Sequence, residues 1–267
     1  MPQTQRTLVE VVVGILYRQD GAVLLSSRPA GKPYAGYWEF AGGKVESGET
    51  LFSALQREFQ EELGVTILGA TPWLTKIHDY EHARVHLHFF RVGAGDWQGP
   101  LQAREGQEWC WQQANHYTVS PMLPANAALL TALSIPSDLS GSLNTGFQAS
   151  SSEHDFRVQP WRAAEKRYQG LLVASEELGL AQQHYPVTQI WAVCNNVQQW
   201  PLLQDVAAVV WPVNNEADNQ ALLALLHEGV SIPVLPLATK AMVEQHRVFW
   251  CQAGIHGCIV DDTLQVA

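Results

Sequence analysis

Residues 43–65, GKVESGETLFSALQREFQEELGV, hold five glutamates, Glu46, Glu49, Glu58, Glu61 and Glu62, within one turn-plus-helix segment. Thr50 is placed to cap a helix, Leu51, Leu55, Phe59 and Leu63 recur every fourth residue, and Gly64 offers a left-handed stop. This pattern predicts a helix over 51–63, with Ser53, Gln56, Arg57 and Gln60 facing away from the apolar stripe. Glu58, Glu61 and Glu62 fall at i, i+3 and i+4 along the stripe's border, and Glu62 lies inside it. Carboxylates so placed repel one another and resist burial. An ordinary solvated face with Arg57 paired to Glu61 would leave Glu58 and Glu62 unexplained. Hard oxygen ligands in this number suit Mg²⁺, with Mn²⁺ as the alternative. Gly42 and Gly43 permit close backbone approach, so a carbonyl can join the carboxylates. The segment therefore predicts a metal-bridged phosphate site.

Gly43, Glu49, Arg57, Glu58, Glu61, Glu62, Gly64 and Val65 fill the fixed positions of a Nudix box, which the segment resembles; Phe59 stands where an aliphatic residue is commoner. The resemblance extends over roughly residues 8–133. It is nearest to the MutT branch, which removes 8-oxo-dGTP, through VVVGILYRQDGAVLLSSRP, YWEFAGGKVE, REGQEW and LPANAALLTAL. It implies a Nudix α/β/α sandwich and metal binding by Glu58, Glu61, Glu62 and Glu105 with the Gly43 carbonyl. Catalysis would fall to Glu58, Glu61 and Glu105, with Glu58 favoured as general base, and Glu49 and Arg57 would support the box as an ion pair. Substrate contacts are implied at Arg28, Phe40 and Asn126. Ala41 replaces a usual Pro, and the stretch 79–84 aligns poorly, leaving Arg84 only conceivable as a base contact.

Each of these residues also has a plainer reading. Arg28 can be a surface cation, Phe40 core, Glu105 a solvated loop residue, and Asn126 the N-cap of the apolar run 127–133. As a base reader, an Asn amide offers one donor and one acceptor. It can donate to O6 and accept from the N7–H of 8-oxoguanine, a pairing that guanine, with an acceptor at N7, does not offer. Stacking on the ring by Trp38 or Phe40 competes with core packing as their role. The MutT resemblance implies water attack on the β-phosphorus, giving nucleoside monophosphate and pyrophosphate, and hence nucleotide-pool sanitation and mutation avoidance.

The chain has 267 residues, 46% of them hydrophobic, and a net charge of −10. That length favours two domains, and the acidity excludes a nucleic acid polymer as partner while allowing a metal-masked nucleoside triphosphate. No apolar run approaches membrane-spanning length, so a cytoplasmic location without membrane contact is expected. Cys110, Cys194, Cys251 and Cys258 form no CxxC pair and are read as reduced thiols. His86 and His88 share a strand face near His82, yet no convincing third metal ligand is apparent, which leaves a half-exposed strand as the better reading.

Residues 134–160, with SIPSDLSGSLNTGFQASSSEHDF, are polar and poor in periodic apolar positions, and read as a linker between domains 1–133 and 161–267. Beyond it LLVAS, IWAVC, VAAVVWPV, IPVLPLA and GCIVDD alternate with helical stretches at 221–227 and 241–251. The order resembles the late part of a thiamine phosphate synthase-like domain. With about five strands where a closed barrel needs eight, the expectation is a truncated α/β domain, a partial (β/α) barrel with parallel strands. Its open edges would be covered by the first domain or by a second copy in a homodimer. Leu237, Ala238, Thr239 and Lys240 stand where that family has a glycine pair for phosphate, so thiamine phosphate synthesis is not expected. A Nudix pyrophosphatase for thiamine pyrophosphate analogues, and a non-catalytic nucleotide or thiamine sensor, remain as alternative functions.

Overall fold

A computed structural model describes residues 8–80, 83–150, 155–164, 168–203 and 205–263. The chain divides into two compact units, Met1–Ser134 and Ile135–Ala267.

The first unit runs β1 (Leu8–Leu16), β2 (Val23–Ser27), β3 (Trp38–Glu39), β4 (Gly42–Lys44), α1 (Leu51–Leu63), β5 (Thr66–Ile67), β6 (Thr71–Asp79), β7 (Arg84–Val92), β8 (Trp97–Gln98), β9 (Trp109–Gln112) and α2 (Ala127–Leu133). Its main sheet has the order β4-β1-β7-β6, with β1 and β7 parallel and the outer pairs antiparallel. A second sheet, β3-β2-β9, is antiparallel. Alternation splits β1 between two faces: Val12 packs into the core with Leu55, Phe59 and Leu63 of α1, while Val9, Val11 and Val13 turn to a cavity. Gly14 lets the helix sit close, because a Cβ there would lie 2.5 Å from the Phe59 ring.

The helix α1 has the bounds its spacing predicts. Thr50 Oγ1 accepts the Ser53 N–H at 3.1 Å in a capping box, and Gly64 closes the end at φ 69° with its N–H on the Phe59 carbonyl. Gly42, Arg104 and Gln107 then engage Glu62 at the helix's final turn.

The second unit corrects three expectations. It contains β10 (Asp138–Ser142), β11 (Gly146–Ala149), β12 (Arg157–Pro160), β13 (Gly170–Ala174), α3 (Leu178–Ala181), β14 (Ile190–Val193), β15 (Ala208–Pro212), α4 (Glu216–Glu228), β16 (Val234–Ala238), α5 (Lys240–Ala253) and β17 (Cys258–Asp261). The eight strands form a closed barrel, with β17 pairing back to β10. All pairs are parallel except those made by β11, which is antiparallel to both neighbours. The stretch 134–160 is thus not a linker but contributes three strands, the domain begins before residue 161, and the barrel is not truncated. Each of these strands commits few apolar residues inward, among them Leu139, Phe147 and Val158, while Asp138, Gln148 and Arg157 are exposed, so the stretch reads as polar. Closure also removes the open edges on which the expected homodimer rested. The interior is filled by Leu139, Leu172, Trp191, Val210, Leu237 and Ile259.

Among the described residues no helix is long and apolar enough to cross a membrane, and the four cysteines form no disulfide. His82 lies outside the described residues.

The hairpin between β10 and β11 depends on Gly146, at φ 85°, where a Cβ would lie 2.1 Å from the Val158 carbonyl oxygen. Gly146→Ala is expected to cost about 1–3 kcal/mol in chemical denaturation. An unchanged unfolding midpoint would contradict this close approach.

Candidate active site

Arg57 organises the carboxylates. Its Nε and Nη2 donate to the two oxygens of Glu49 at 2.8 and 2.9 Å, and Nη2 also reaches the Lys44 carbonyl at 2.9 Å. Its Nη1 donates to Glu58 at 2.8 Å and to Glu61 at 3.3 Å. The guanidinium's planar fork is matched to such bidentate pairing. The Arg57 hydrogen bonds hold the Glu49 carboxyl down at about 2. The i+4 pair with Glu61 therefore exists, but as one arm of a clamp reaching from strand β4 through the turn to the helix.

Glu58 and Glu62 are largely withdrawn from solvent, with side chains 14% and 15% exposed. Burial raises the pKa of Glu58 against the opposing Arg57. Burial pushes Glu62 up to about 8, opposed by Lys32 and reinforced by Glu105, Glu58 and Glu39. Gly43 leaves room for the Glu58 carboxyl in its present place, since a Cβ on it would fall 2.2 Å away and displace that carboxyl.

Glu105 arrives from a loop that serves the end of α1. The last carbonyls of a helix lack intrahelical partners. Here Gln102 N–H donates to the Leu63 carbonyl at 2.9 Å, Gln107 Nε2 to Glu62 at 2.7 Å, and Arg104 Nη1 to Gln60 at 2.7 Å. Gln107 Oε1 in turn accepts the Glu105 N–H at 2.9 Å. The docked loop brings the Glu105 carboxylate onto Lys32 Nζ, which also lies 3.9 Å from Glu62.

These groups border one cavity of about 550 Å³. Gly43, Arg57, Glu58, Glu61, Glu62 and Glu105 line it together with Arg28, Phe40 and Asn126, whereas Glu49 stands behind Arg57. Arg28 is no surface cation: its Nη1 pairs with Glu39, its Nε donates to the Pro33 carbonyl at 2.7 Å, and its side chain is 21% exposed. Asn126 is 4% exposed and precedes α2, yet its side chain makes no capping bond and its Nδ2 has no hydrogen-bond partner among the described residues. Trp38 and Arg84 do not line the cavity; Arg84 is half exposed beside Asp79.

Sequence reasoning missed Lys32, Tyr34, Glu39 and Tyr80, all of which line the cavity. The rings of Tyr34 and Tyr80 lie 6.1 Å apart, and Tyr34 holds φ 60°, uncommon for a non-glycine residue. The signal was a lone cation and an aromatic in the Gly/Pro-rich loop PAGKPYAG, which periodicity does not read.

The donor set fits an oxygen-preferring divalent cation. Glu39, Glu58, Glu61, Glu62 and Glu105 border one space with Arg28, Lys32 and Arg57 as counter-charges, and burial with the neighbouring carboxylates pushes Glu62 up to about 8.

The NUDIX domain family matches residues 7–133. Over 125 residues the chain is 40% identical to the CTP pyrophosphohydrolase of Escherichia coli, covering 47% of this chain and 90% of that protein. The chain belongs to the Nudix family. This Nudix hydrolase is also 34% identical to an 8-oxo-dGTP diphosphatase of Haemophilus influenzae, with the same coverage of 47% and 90%. The solution structure of the E. coli ORF135 protein shares 37% identity, covering 49% of this chain and 91% of that one at a TM-score of 0.40. The barrel lies beyond the residues matched by the Nudix domain.

Because the Glu62 pKa is raised on folding, from 4.5 to about 8, the group's stabilising contribution is complete below 4.5 and is lost as pH rises through about 8. In EDTA, Glu62→Gln is therefore expected to match the wild-type thermal midpoint near pH 4 and to exceed it near pH 9. A constant difference across that range would contradict the burial of Glu62.

Proposed function

We propose that the Nudix domain hydrolyses oxidised purine nucleoside triphosphates, with 8-oxo-dGTP as the type substrate, to the monophosphate and pyrophosphate. The observation that carries this reading is Asn126, a buried amide with an unpartnered Nδ2 in the same cavity as the glutamates. An unpaired buried donor is costly, and a base that satisfies it gains affinity. The 8-oxoguanine O6 acceptor and N7–H donor suit the amide's two ends, whereas guanine leaves the amide oxygen facing an acceptor. Such a substrate would be removed before its incorporation into DNA, which makes the activity one of nucleotide-pool sanitation.

Glu58, Glu61, Glu62 and Glu105, with the Gly43 carbonyl, are the residues that would hold Mg²⁺ or Mn²⁺. The bound ion would neutralise phosphate charge and acidify an attacking water. Glu58 is assigned as the base, since burial raises its proton affinity while Arg57 fixes one of its oxygens. Lys32 adds positive charge beside Glu105 and Glu62 for the phosphate chain. Arg28 and Phe40 bound the nucleotide end, and Val11, Val13, Leu87 and Phe89 give that cavity a water-excluding wall. Attack on the β-phosphorus then yields the two products.

A second reading is supported by the 40% identity to a CTP pyrophosphohydrolase. Cytosine also sets a donor, N4–H, beside an acceptor, N3, so the same amide can pair with it. The sequence resemblance of the second domain to a thiamine phosphate synthase-like domain keeps thiamine pyrophosphate analogues as a further substrate class. The full carboxylate set weighs against a non-catalytic sensor.

With Mg²⁺, kcat/KM is expected to be highest for 8-oxo-dGTP, compared with dGTP, CTP and thiamine pyrophosphate. Asn126→Ala should narrow the preference over dGTP by about 10–100-fold, the discrimination a bidentate base contact supplies. Preference for CTP would move the assignment to pyrimidines, and an unaltered preference in the variant would remove Asn126 as the reader. Glu58→Gln should lower kcat by about 10²–10⁴-fold with an unchanged circular dichroism spectrum; retained turnover would refute its role as base.

A further inference from the structure

The Nudix chemistry leaves His86 and His88 unused, and the strand pairing supplies what their sequence spacing lacked. In the parallel register of β1 and β7, Glu10 faces His86 and Val12 faces His88. Side chains alternate along a strand, so Glu10, His86 and His88 share one face, while Val9, Val11, Val85 and Leu87 turn to the cavity on the other. One carboxylate oxygen, Glu10 Oε2, lies 3.0 Å from His86 Nδ1 and 2.6 Å from His88 Nε2. The imidazole centroids are 4.1 Å apart, and all three candidate ligand atoms lie within 4.8 Å of one another. Among the described residues this is the group of histidine, cysteine and acidic side chains whose ligand atoms converge in this way.

We propose that Glu10, His86 and His88 form a second cation site for Zn²⁺, on the sheet face opposite the nucleotide cavity. Two imidazole nitrogens and one carboxylate oxygen are a known Zn²⁺ donor set that leaves a fourth position for water. At bond lengths of about 2.0–2.2 Å, tetrahedral ligand atoms sit roughly 3.3 Å apart, so the Glu10 oxygen must draw back from both imidazoles, now 2.6 and 3.0 Å away, to accept the ion. The nitrogen donors select against Mg²⁺, which prefers oxygen and keeps its waters. The side chains are 28% (His86), 15% (His88) and 43% (Glu10) exposed, which leaves an entry path. Zn²⁺ here ties β1 to β7, the strand pair whose other face lines the cavity, and binding only the folded state raises the thermal midpoint.

The test titrates ZnCl₂ into the full chain by calorimetry in millimolar Mg²⁺, which occupies the oxygen-ligand site. One equivalent of Zn²⁺ should bind at micromolar concentration, and His86→Ala and Glu10→Gln should each weaken it by at least about 10-fold. A metal-free thermal midpoint near that of wild type in each variant verifies folding. Co²⁺ provides a second readout: its visible absorption in the wild type should be lost in His88→Gln. Absence of Zn²⁺ binding under Mg²⁺, or equal affinity in wild type and His86→Ala, would overturn the proposal and leave the trio as a hydrogen-bonded surface cluster.

Discussion

Carboxylates withdrawn from water beside one another constitute the constraint around which the N-terminal unit is built. Glu58 and Glu62 stand on the helix edge that meets the sheet, and Glu105 is brought onto Lys32 beside them. Mutual repulsion and desolvation oppose this arrangement. The Arg57 clamp offsets part of it by gripping Glu49, Glu58 and the Lys44 carbonyl, and Lys32 offsets more. The remainder shows as the raised pKa of Glu62, an imbalance of charge that a bound divalent cation would relieve. Helix capping at Thr50 and Gly64 matters because it fixes where these carboxylates fall around the helix axis.

The carboxylate cluster proposed to hold the metal was legible because it is local. Glu58, Glu61, Glu62, Arg57 and Gly43 lie within one helix and its preceding turn, where a period of 3.6 residues relates spacing to direction. The nucleotide end is assembled from distant segments. Asn126, Arg28 and Phe40 were proposed through family resemblance and line the cavity, whereas from the residues alone Asn126 reads as a helix cap. In the fold it makes no cap bond and is buried at the cavity. Lys32, Tyr34 and Tyr80 escaped detection because loops carry no period, and Glu39 because β3 is only two residues long; what all four face depends on strands β2, β3 and β6 being brought together.

Long-range register explains the other differences. Glu10 sits far from His86 in sequence, and only the parallel pairing of β1 with β7 makes them neighbours. In the barrel, β10 to β12 present mostly polar outer faces and few inward apolar residues, so a polar stretch hides three strands. The later strands, buried on both faces, carry continuous apolar runs such as AVVWP, which periodicity detects readily. Closure through β10 and β17 is a property of the whole unit and leaves no local signature.

The central claim, that the helix carboxylates are held ready for a divalent cation, is tested most directly by titrating Mn²⁺ calorimetrically into the metal-free protein. Saturable binding that is lost in a Glu58→Gln/Glu62→Gln double variant, itself folded, is the predicted result. Binding that is absent from the wild type, or equally strong in the double variant, would contradict the account.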